Sequence, residues 1–166
     1  RGEVLALDAE NAHGLSLLAL RTNLVPASRA PDRRLRQARL GLEFPSPVGL
    51  AAGYDKNGEI VSGARALGFG FVEIGTVTAQ AQPGNPRPRM FRYPAQEAVI
   101  NRMGFNNEGA AAIAARLARQ PRPGARAIPL GVNLGKSKVT AIEDAAADYL
   151  ASFRQLADHA DYVVLN

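Results

Sequence analysis

The sequence predicts an α/β fold with a parallel sheet covered by helices, on three observations. Strand-like and helix-like segments alternate along the chain. The strand-like segments are continuous apolar runs, as expected of parallel strands buried on both faces. Each run is followed by glycine or by a polar side chain. Both a doubly wound sheet and a (β/α)8 barrel fit this order, although a whole barrel takes about 250 residues and this chain has 166.

Apolar runs and helical spacing predict the individual elements. The predicted strands are residues 48–52, 71–77, 129–134 and 161–165. The predicted helices after the first three strands are residues 59–67, 107–119 and 141–160, with Asn107 as an N-cap. A long segment rich in Pro, Gly and Asn precedes the second of these helices. Because structureless loops of such length are uncommon, Met90–Tyr93 and Ala98–Asn101 are predicted to form a hairpin within it.

A further helix is predicted near the N-terminus, over residues 4–24, with Asp8 as its N-cap. Residues 21–39 hold six arginines against Asp32 alone, which accounts for the whole net charge of +5. An apolar helix beside a basic cluster fits attachment to an anionic membrane surface. A helix packed on its own domain, followed by a solvated linker, is the alternative. No apolar run approaches the roughly 18 residues of a membrane-spanning helix.

Composition and motifs exclude several classes of function. The chain has no cysteine, which excludes disulfides, zinc–thiolate sites, iron–sulfur clusters and cysteine nucleophiles within these residues. Its two histidines, His13 and His159, are far apart, so no metal site is expected. Neither a P-loop nor a dinucleotide-binding fingerprint is present. The chain lacks a basic recognition helix and an aromatic stacking motif, so nucleic-acid binding is not expected.

The functional site is expected at the carboxyl ends of the strands, where both fold types place it. The small residues Ala51, Ala52 and Gly53 would let a flat cofactor approach the backbone closely. Asn133 and Asn166 each donate and accept hydrogen bonds, which suits the edge of a heterocycle. Lys56 adds a positive charge that could balance a substrate carboxylate or a reduced flavin.

Six ordered motifs resemble the dihydroorotate dehydrogenase family. They lie at residues 49–59, 68–78, 82–92, 100–107, 131–136 and 161–166. Agreement of several motifs in one order makes the resemblance specific, and it extends from about residue 8 to the last residue. Residues 8–13 and the helix that they open resemble the N-terminal extension of class 2, the quinone-dependent and membrane-associated branch.

The resemblance implies a (β/α)8 TIM barrel preceded by a small N-terminal helical segment. Residues 1–40 would form the membrane- and quinone-associated segment, and residues 41–166 the first half of the FMN-binding barrel, with four of its eight strands. The implied reaction oxidises dihydroorotate to orotate with FMN and passes the electrons to ubiquinone or a related quinone. This step belongs to de novo pyrimidine biosynthesis.

Site residues follow from the motifs. The residues implied to bind FMN are Ala52, Gly53, Lys56, Thr76, Asn133 and Asn166. Those implied to bind substrate are Lys56, Asn101, Arg102, Met103, Gly104, Phe105 and Asn166. The family's general base is a serine, expected three residues after Asn166. Hence no catalytic residue is expected within the chain, and residues 1–166 alone are expected neither to hold FMN tightly nor to turn over.

Two alternatives stay open beside this reading. One is another FMN-dependent barrel oxidoreductase, of the class 1 dihydroorotate or dihydropyrimidine dehydrogenase type. The other is a non-catalytic half-barrel. The resemblance implies dihydroorotate, orotate, a quinone and an anionic membrane surface, contacted through residues 5–39, as partners. The expected location is peripheral, on the cytoplasmic face of a bacterial cell membrane, or on the mitochondrial inner membrane of a eukaryote.

Overall fold

A parallel sheet lies at the centre of this computed structural model, which describes residues 7–22, 25–28 and 31–166. The strands are β1 (Gln37–Arg39), β2 (Leu42–Phe44), β3 (Val72–Val77), β4 (Met90–Tyr93), β5 (Ala98–Asn101), β6 (Leu130–Leu134) and β7 (Tyr162–Leu165). The helices are α1 (Ala9–Arg21), α2 (Val61–Ala66), α3 (Ala110–Leu117) and α4 (Ala145–Leu156). Single 3-10 turns occupy Arg33–Leu35, Pro94–Gln96 and Ala157–His159.

The central sheet is parallel, and its strands follow one another in chain order. β6 lies between β3 and β7, and both pairings are parallel. The first predicted strand lies parallel to the free edge of β3, but it pairs as a single bridge from Leu50 to Val72. The Leu50 N–H donates to the Phe71 carbonyl at 3.0 Å, and the Glu73 N–H donates to the Leu50 carbonyl at 2.8 Å. The predicted parallel sheet is therefore confirmed, with a shorter first strand.

The two faces of the sheet carry different side chains. One face packs against α2, α3 and α4 in a core that includes Ile74, Val132, Leu134, Ile113, Leu117 and Leu156. Burial of each such aliphatic side chain is worth about 1.5–3 kcal/mol. Because side chains alternate along a strand, Glu73, Asn133 and Tyr162 fall on the opposite face. That face has no helix over it among the described residues and becomes the wall of the cavity described below.

The predicted helices are present but shorter than expected, as α2, α3 and α4. The prediction that Asn107 caps the second of them is wrong, because Gly109 occupies the N-cap position of α3. The Asn107 Oδ1 instead accepts the N–H groups of Gly109 at 2.9 Å and Thr78 at 3.3 Å. This amide therefore ties the loop before α3 to the end of β3. The predicted hairpin is confirmed as β4 paired with β5.

The arginine-rich segment contains a β-hairpin that the sequence did not predict. β1 and β2 pair antiparallel through a two-residue turn at Leu40 and Gly41, with φ values of +54° and +74°. A turn of this kind favours Asn-Gly or Asp-Gly, and a leucine at its first position gives no such signal. The hairpin also spans residue 40, so the expected boundary between a helical segment and a barrel falls inside one structural unit.

The N-terminus of α1 is held by charged and capping contacts. The Asp8 carboxylate accepts the N–H groups of Glu10 and Asn11, both at 3.0 Å, which confirms Asp8 as the N-cap. Glu10 forms ion pairs with Arg89 at 2.6 Å and with Arg87 at 3.1 Å. The hydrogen bond from the largely buried Arg89 holds the pKa of Glu10 below its ordinary value. This ion pair joins α1 to the long loop after β3.

The rest of α1 packs on the loop after Leu50 and on α2. The Ser16 hydroxyl lies 2.6 Å from the Tyr54 hydroxyl, and the His13 ring meets the Tyr54 ring edge-on at 4.9 Å. Further along α1, a Cβ built on Gly63 of α2 would lie 2.8 Å from the Leu20 carbonyl oxygen. The glycine therefore allows close approach of the two helices. The residues of the predicted helix beyond 7–22 lie outside the described part of the chain.

Replacing Gly63 by alanine should destabilise the protein by about 1–3 kcal/mol, because the new methyl group must displace the backbone of α1. Gly14→Ala is the matched control within α1, since a Cβ there meets nothing within 4 Å. That change should stabilise the helix by about 0.5–1 kcal/mol through lost backbone entropy. Denaturant unfolding measures both values. A neutral effect of Gly63→Ala would contradict the close packing of α1 on α2.

Acidification should lower the folding stability of the protein through protonation of His13. Burial lowers the pKa of His13 below its ordinary value of 6.5, and the charge of Lys56 lowers it further. As the pH falls below 6.5, the unfolded chain therefore takes up this proton first, and folded stability is lost. His13→Gln removes the titration, so melting temperatures measured from about pH 7.5 to 5.5 should fall less for the variant than for the wild type. Equal pH dependence of the two proteins would disprove this role.

Candidate active site

A cavity of about 620 Å³ lies at the carboxyl ends of the parallel strands, on the face of the sheet away from α2, α3 and α4. All six residues implied to bind FMN line it: Ala52, Gly53, Lys56, Thr76, Asn133 and Asn166. Four of the remaining residues implied to bind substrate line it as well: Asn101, Met103, Gly104 and Phe105. Residues from five separate parts of the chain therefore meet in one place.

Arg102 is the one proposed site residue that does not line this cavity. Its guanidinium donates to the Pro88 carbonyl at 3.0 Å and lies over the Phe91 ring, 5.9 Å from the ring centre. These contacts brace the base of the hairpin formed by β4 and β5. Arg102 therefore supports the cavity wall from behind.

Small residues form one side of the cavity. Gly53 has a φ of +109°, a conformation that favours glycine, and its N–H donates to the Gly75 carbonyl at 2.8 Å. A Cβ built on Gly53 would meet no atom within 4 Å. The open space in front of this backbone, next to Ala52, is room that a flat ring could fill.

Hydrogen-bonding side chains form another part of the cavity wall. The Thr76 hydroxyl donates to Asn133 Oδ1 at 2.7 Å. Asn166 Nδ2 donates to the Thr76 oxygen at 3.0 Å and to Asn133 Oδ1 at 3.2 Å. Asn133 Nδ2 donates in turn to Glu73 Oε1 at 2.9 Å. The strand ends thus carry a connected set of amide and hydroxyl groups that faces the cavity.

Lys56 supplies positive charge at the edge of the cavity. Its ammonium group donates to the Gly53 carbonyl at 2.6 Å. Burial lowers the pKa of Lys56 from its ordinary value, and the charge of Arg89 lowers it further, against the opposing influence of Glu10 and Asp55. A lysine in such surroundings gains from an anionic ligand, because the ligand's charge would offset the cost of desolvation.

The turn that carries Lys56 is held by the buried Asp55. The Asp55 carboxylate accepts the N–H groups of Glu59 and Ile60, each at 2.9 Å. Burial raises the pKa of Asp55, although these N–H groups favour the charged form. By fixing the loop between Leu50 and α2, Asp55 determines where Lys56 and Gly53 stand.

Sequence reasoning missed two side chains of the cavity, Glu73 and Met90. Glu73 is the single charged residue in the apolar run of residues 71–77, which is a signal that could have identified it. Met90 begins β4, and nothing in its sequence neighbourhood distinguishes it from a packing residue. The described residues include no group of three or more His, Cys, Asp or Glu side chains that could hold a metal ion.

A second, smaller cavity of about 100 Å³ lies between α1 and the larger cavity. It is lined by His13, Leu17 and Tyr54 among others, and it shares Lys56 and Met103 with the larger cavity. Asn106 also lines it, and the Oδ1 atom of this side chain is buried without a hydrogen-bond partner in the described structure. Such an orphaned acceptor usually has an ordered water or a ligand as its partner.

Comparison with known proteins agrees with this geometry. A family model described as dihydroorotate dehydrogenase matches residues 34–166. The dihydroorotate dehydrogenase (quinone) of Chloroflexus aurantiacus is 56% identical over 169 residues, covering 96% of this chain and 46% of that protein. The protein of the same name from Acidithiobacillus ferrooxidans is 52% identical over 172 residues, covering 98% of this chain and 47% of that protein.

Solved structures give the same result. The crystal structure of DHODH in complex with ferulenol from Eimeria tenella superposes with a TM-score of 0.86 at 38% identity, covering 96% of this chain and 43% of that one. The chain thus spans about half the length of the curated relatives that it matches. The family match over most of its residues and the identity to these relatives show that the chain belongs to the dihydroorotate dehydrogenase family.

Proposed function

We propose that this chain provides part of the FMN and substrate site of a quinone-dependent dihydroorotate dehydrogenase, which oxidises dihydroorotate to orotate in pyrimidine biosynthesis. The observation that carries the proposal is the 620 Å³ cavity, which brings together ten of the eleven residues implied by the motifs. These residues lie far apart in sequence, and their meeting in one cavity supports the proposal. Both curated relatives described above carry the quinone-dependent name.

The fold proposed for the whole protein is a (β/α)8 barrel, with residues 41–166 as its first half. The strand order supports it, because the segment around Leu50, β3, β6 and β7 lie side by side in chain order. A doubly wound sheet would reverse that order at its switch point. Residues 1–40 are proposed as the membrane- and quinone-associated segment, although β1 lies within this range.

The residues present fit FMN. Bound there, FMN would accept a hydride from dihydroorotate and pass the electrons on to a quinone. Ala52 and Gly53 leave open space for a flat ring, and the groups of Thr76, Asn133 and Asn166 offer donors and acceptors to its edge. Lys56 would balance negative charge on the ring or on the substrate.

The substrate is proposed to bind between Lys56 and residues 101–105. Asn101 ends β5 at the cavity wall, and Met103, Gly104 and Phe105 continue that wall. The amide of Asn101 can both donate to and accept from the ring of a pyrimidine. The ammonium group of Lys56 can pair with the carboxylate of dihydroorotate or orotate.

A quinone is proposed to approach through the smaller cavity, between α1 and the FMN site. Lys56 and Met103 line both cavities, so a quinone in the smaller cavity would lie close to FMN in the larger one. The two residues would separate the quinone from the larger cavity. Burial lowers the pKa of His13, which keeps the imidazole neutral at pH 7 and suits an uncharged ligand. Asn106 lines the same space, and its Oδ1 atom has no hydrogen-bond partner among the described residues.

Membrane attachment is proposed to use the outer face of α1. Leu7, Leu15 and Leu18 are exposed by 43%, 54% and 46%, whereas Ala12 and Leu20 are buried against the protein. No helix among the described residues is long and apolar enough to cross a membrane. This face favours a peripheral location, proposed on the cytoplasmic side of a bacterial cell membrane or on the mitochondrial inner membrane of a eukaryote.

Arg21 ends α1, but Arg33 and Arg36 of the basic segment lie away from this helix. Arg33 and Arg36 line a cleft of about 550 Å³ together with Phe69 and Ile128, which precede β3 and β6. This cleft is at the amino ends of the strands, whereas Glu10 and His13 of α1 lie near the carboxyl ends. Arg29 lies outside the described residues. We therefore propose that α1, rather than the arginines, provides the main membrane contact.

The activity is tested on the full-length protein, which should bind FMN and reduce a quinone with dihydroorotate. Asn101→Ala should raise KM for dihydroorotate by at least about tenfold, the loss expected for one hydrogen bond to a charged or strongly polar ligand. FMN content should be unchanged. Ile100→Thr is the control, because Ile100 is exposed on the opposite face of β5. A protein without bound flavin, or without this activity, would refute the function.

Membrane binding is tested with vesicles of anionic lipid. Leu15→Ser together with Leu18→Ser should weaken binding at least about tenfold, from the lost burial of two leucines. Leu35→Ser is the control, because Leu35 is exposed by 47% in the basic segment. Binding should persist at high salt, which screens exposed charges. Binding that disappears with salt and is insensitive to the α1 changes would show that the arginines dominate.

A further inference from the structure

Glu73 is the one acidic side chain among the described residues that line the larger cavity, and the proposed function assigns it no role. It lies on β3, on the face of the sheet away from the core. Its Oε1 accepts the Nδ2 group of Asn133 at 2.9 Å. Strand β7, on the other side of β6, brings the hydroxyl group of Tyr162 close to the same carboxylate. A carboxylate therefore stands behind the polar groups that would meet FMN.

The carboxylate gives these polar groups a direction. Because a carboxylate only accepts hydrogen bonds, Asn133 must turn its Nδ2 toward Glu73 and its Oδ1 toward Thr76. The hydroxyl of Thr76 then donates to Asn133 Oδ1 at 2.7 Å and accepts Asn166 Nδ2 at 3.0 Å. Each donor in this series of three hydrogen bonds therefore points toward Glu73. At the far end, no described residue donates to Asn166 Oδ1, which stays available as an acceptor for a ligand.

The side chain of Tyr162 lies close to the same carboxylate. A Cβ on Gly131 would lie 2.2 Å from the Tyr162 ring, so the glycine makes room for that ring on the cavity face. Burial and the adjacent Glu73 raise the pKa of Tyr162 to about 12. The hydroxyl therefore keeps its proton at neutral pH, beside the Glu73 carboxylate.

We propose that Glu73 is a positioning residue that fixes the direction of the hydrogen bonds among Asn133, Thr76 and Asn166, which leaves Asn166 Oδ1 as an acceptor for FMN, and that its negative charge lowers the reduction potential of the bound flavin. The second part follows because reduction adds negative charge to the flavin inside a cavity that already contains a carboxylate. Lys56, on the same cavity, acts in the opposite sense. This inference rests on the proposed function.

Two variants of the full-length protein separate orientation from charge. Glu73→Gln keeps the length of the side chain and removes its charge. It should shift the ratio of affinities for reduced and oxidised FMN by about tenfold toward the reduced form, which raises the potential by about 30 mV for a two-electron couple. Glu73→Asp keeps the charge and withdraws the carboxylate from Asn133. It should weaken FMN binding about tenfold while that ratio changes less than threefold.

The measurements are the FMN dissociation constant, from flavin fluorescence, and the midpoint potential, from spectroscopic titration. Glu43→Gln is the control, because it removes the same charge from the exposed face of β2 and should change neither quantity. If Glu73→Gln does not fold, Tyr162→Phe provides the second test. It removes the hydroxyl group that lies near Glu73 while the ring still fits against Gly131, so the carboxylate is less stabilised and the potential should fall.

The possible results are distinct. Opposite shifts of potential in Glu73→Gln and Tyr162→Phe support the proposal, as does weaker binding without a change of potential in Glu73→Asp. Wild-type potential and affinity in the Glu73 variants of an FMN-containing, active protein would overturn this inference alone. Failure of the wild type to bind FMN would instead overturn the proposed function together with it.

Discussion

The parallel pairing of β3 with β6 is the constraint on which the rest of the structure depends. Its register places Val72 beside Leu130 and Ile74 beside Val132, so that both strands send their aliphatic side chains to the same face. That face becomes the core under the helices. Because side chains alternate along each strand, the other face receives Glu73 and Asn133 together. One register therefore determines both the core and the polar wall of the cavity.

The loop after Leu50 and helix α1 complete the cavity from outside the sheet. Asp55 fixes the loop through two backbone N–H groups, and the loop carries both the open backbone at Gly53 and the charge of Lys56. The ion pair of Glu10 with Arg89 then holds α1 against the long loop after β3. A buried ion pair is costly to break from one side, at about 3–5 kcal/mol, so α1 has a defined position over the smaller cavity.

Much of the fold could be predicted because the relevant signals are local. Continuous apolar runs identified the strands, Asp8 marked the start of α1, and the long loop was correctly divided into β4 and β5. The hairpin of β1 and β2 was not predictable, since Leu40 in its turn gives no local signal and the surrounding charge suggests a linker. The prediction for Asn107 was wrong because its amide oxygen accepts the N–H group of Thr78 after β3. That contact depends on a segment far away in sequence.

The candidate site could likewise be predicted in part from the sequence. Residue type and motif order by themselves determined the parallel α/β class, the family, and ten of the residues that line the cavity, because those residues follow strands whose carboxyl ends must share one edge of the sheet. Only the tertiary structure excluded Arg102 from the cavity, added Glu73, and separated Arg33 and Arg36 from the apolar face of α1. These outcomes depend on which face a side chain takes and which distant segment it meets, and neither is recorded in the spacing of residues along the chain.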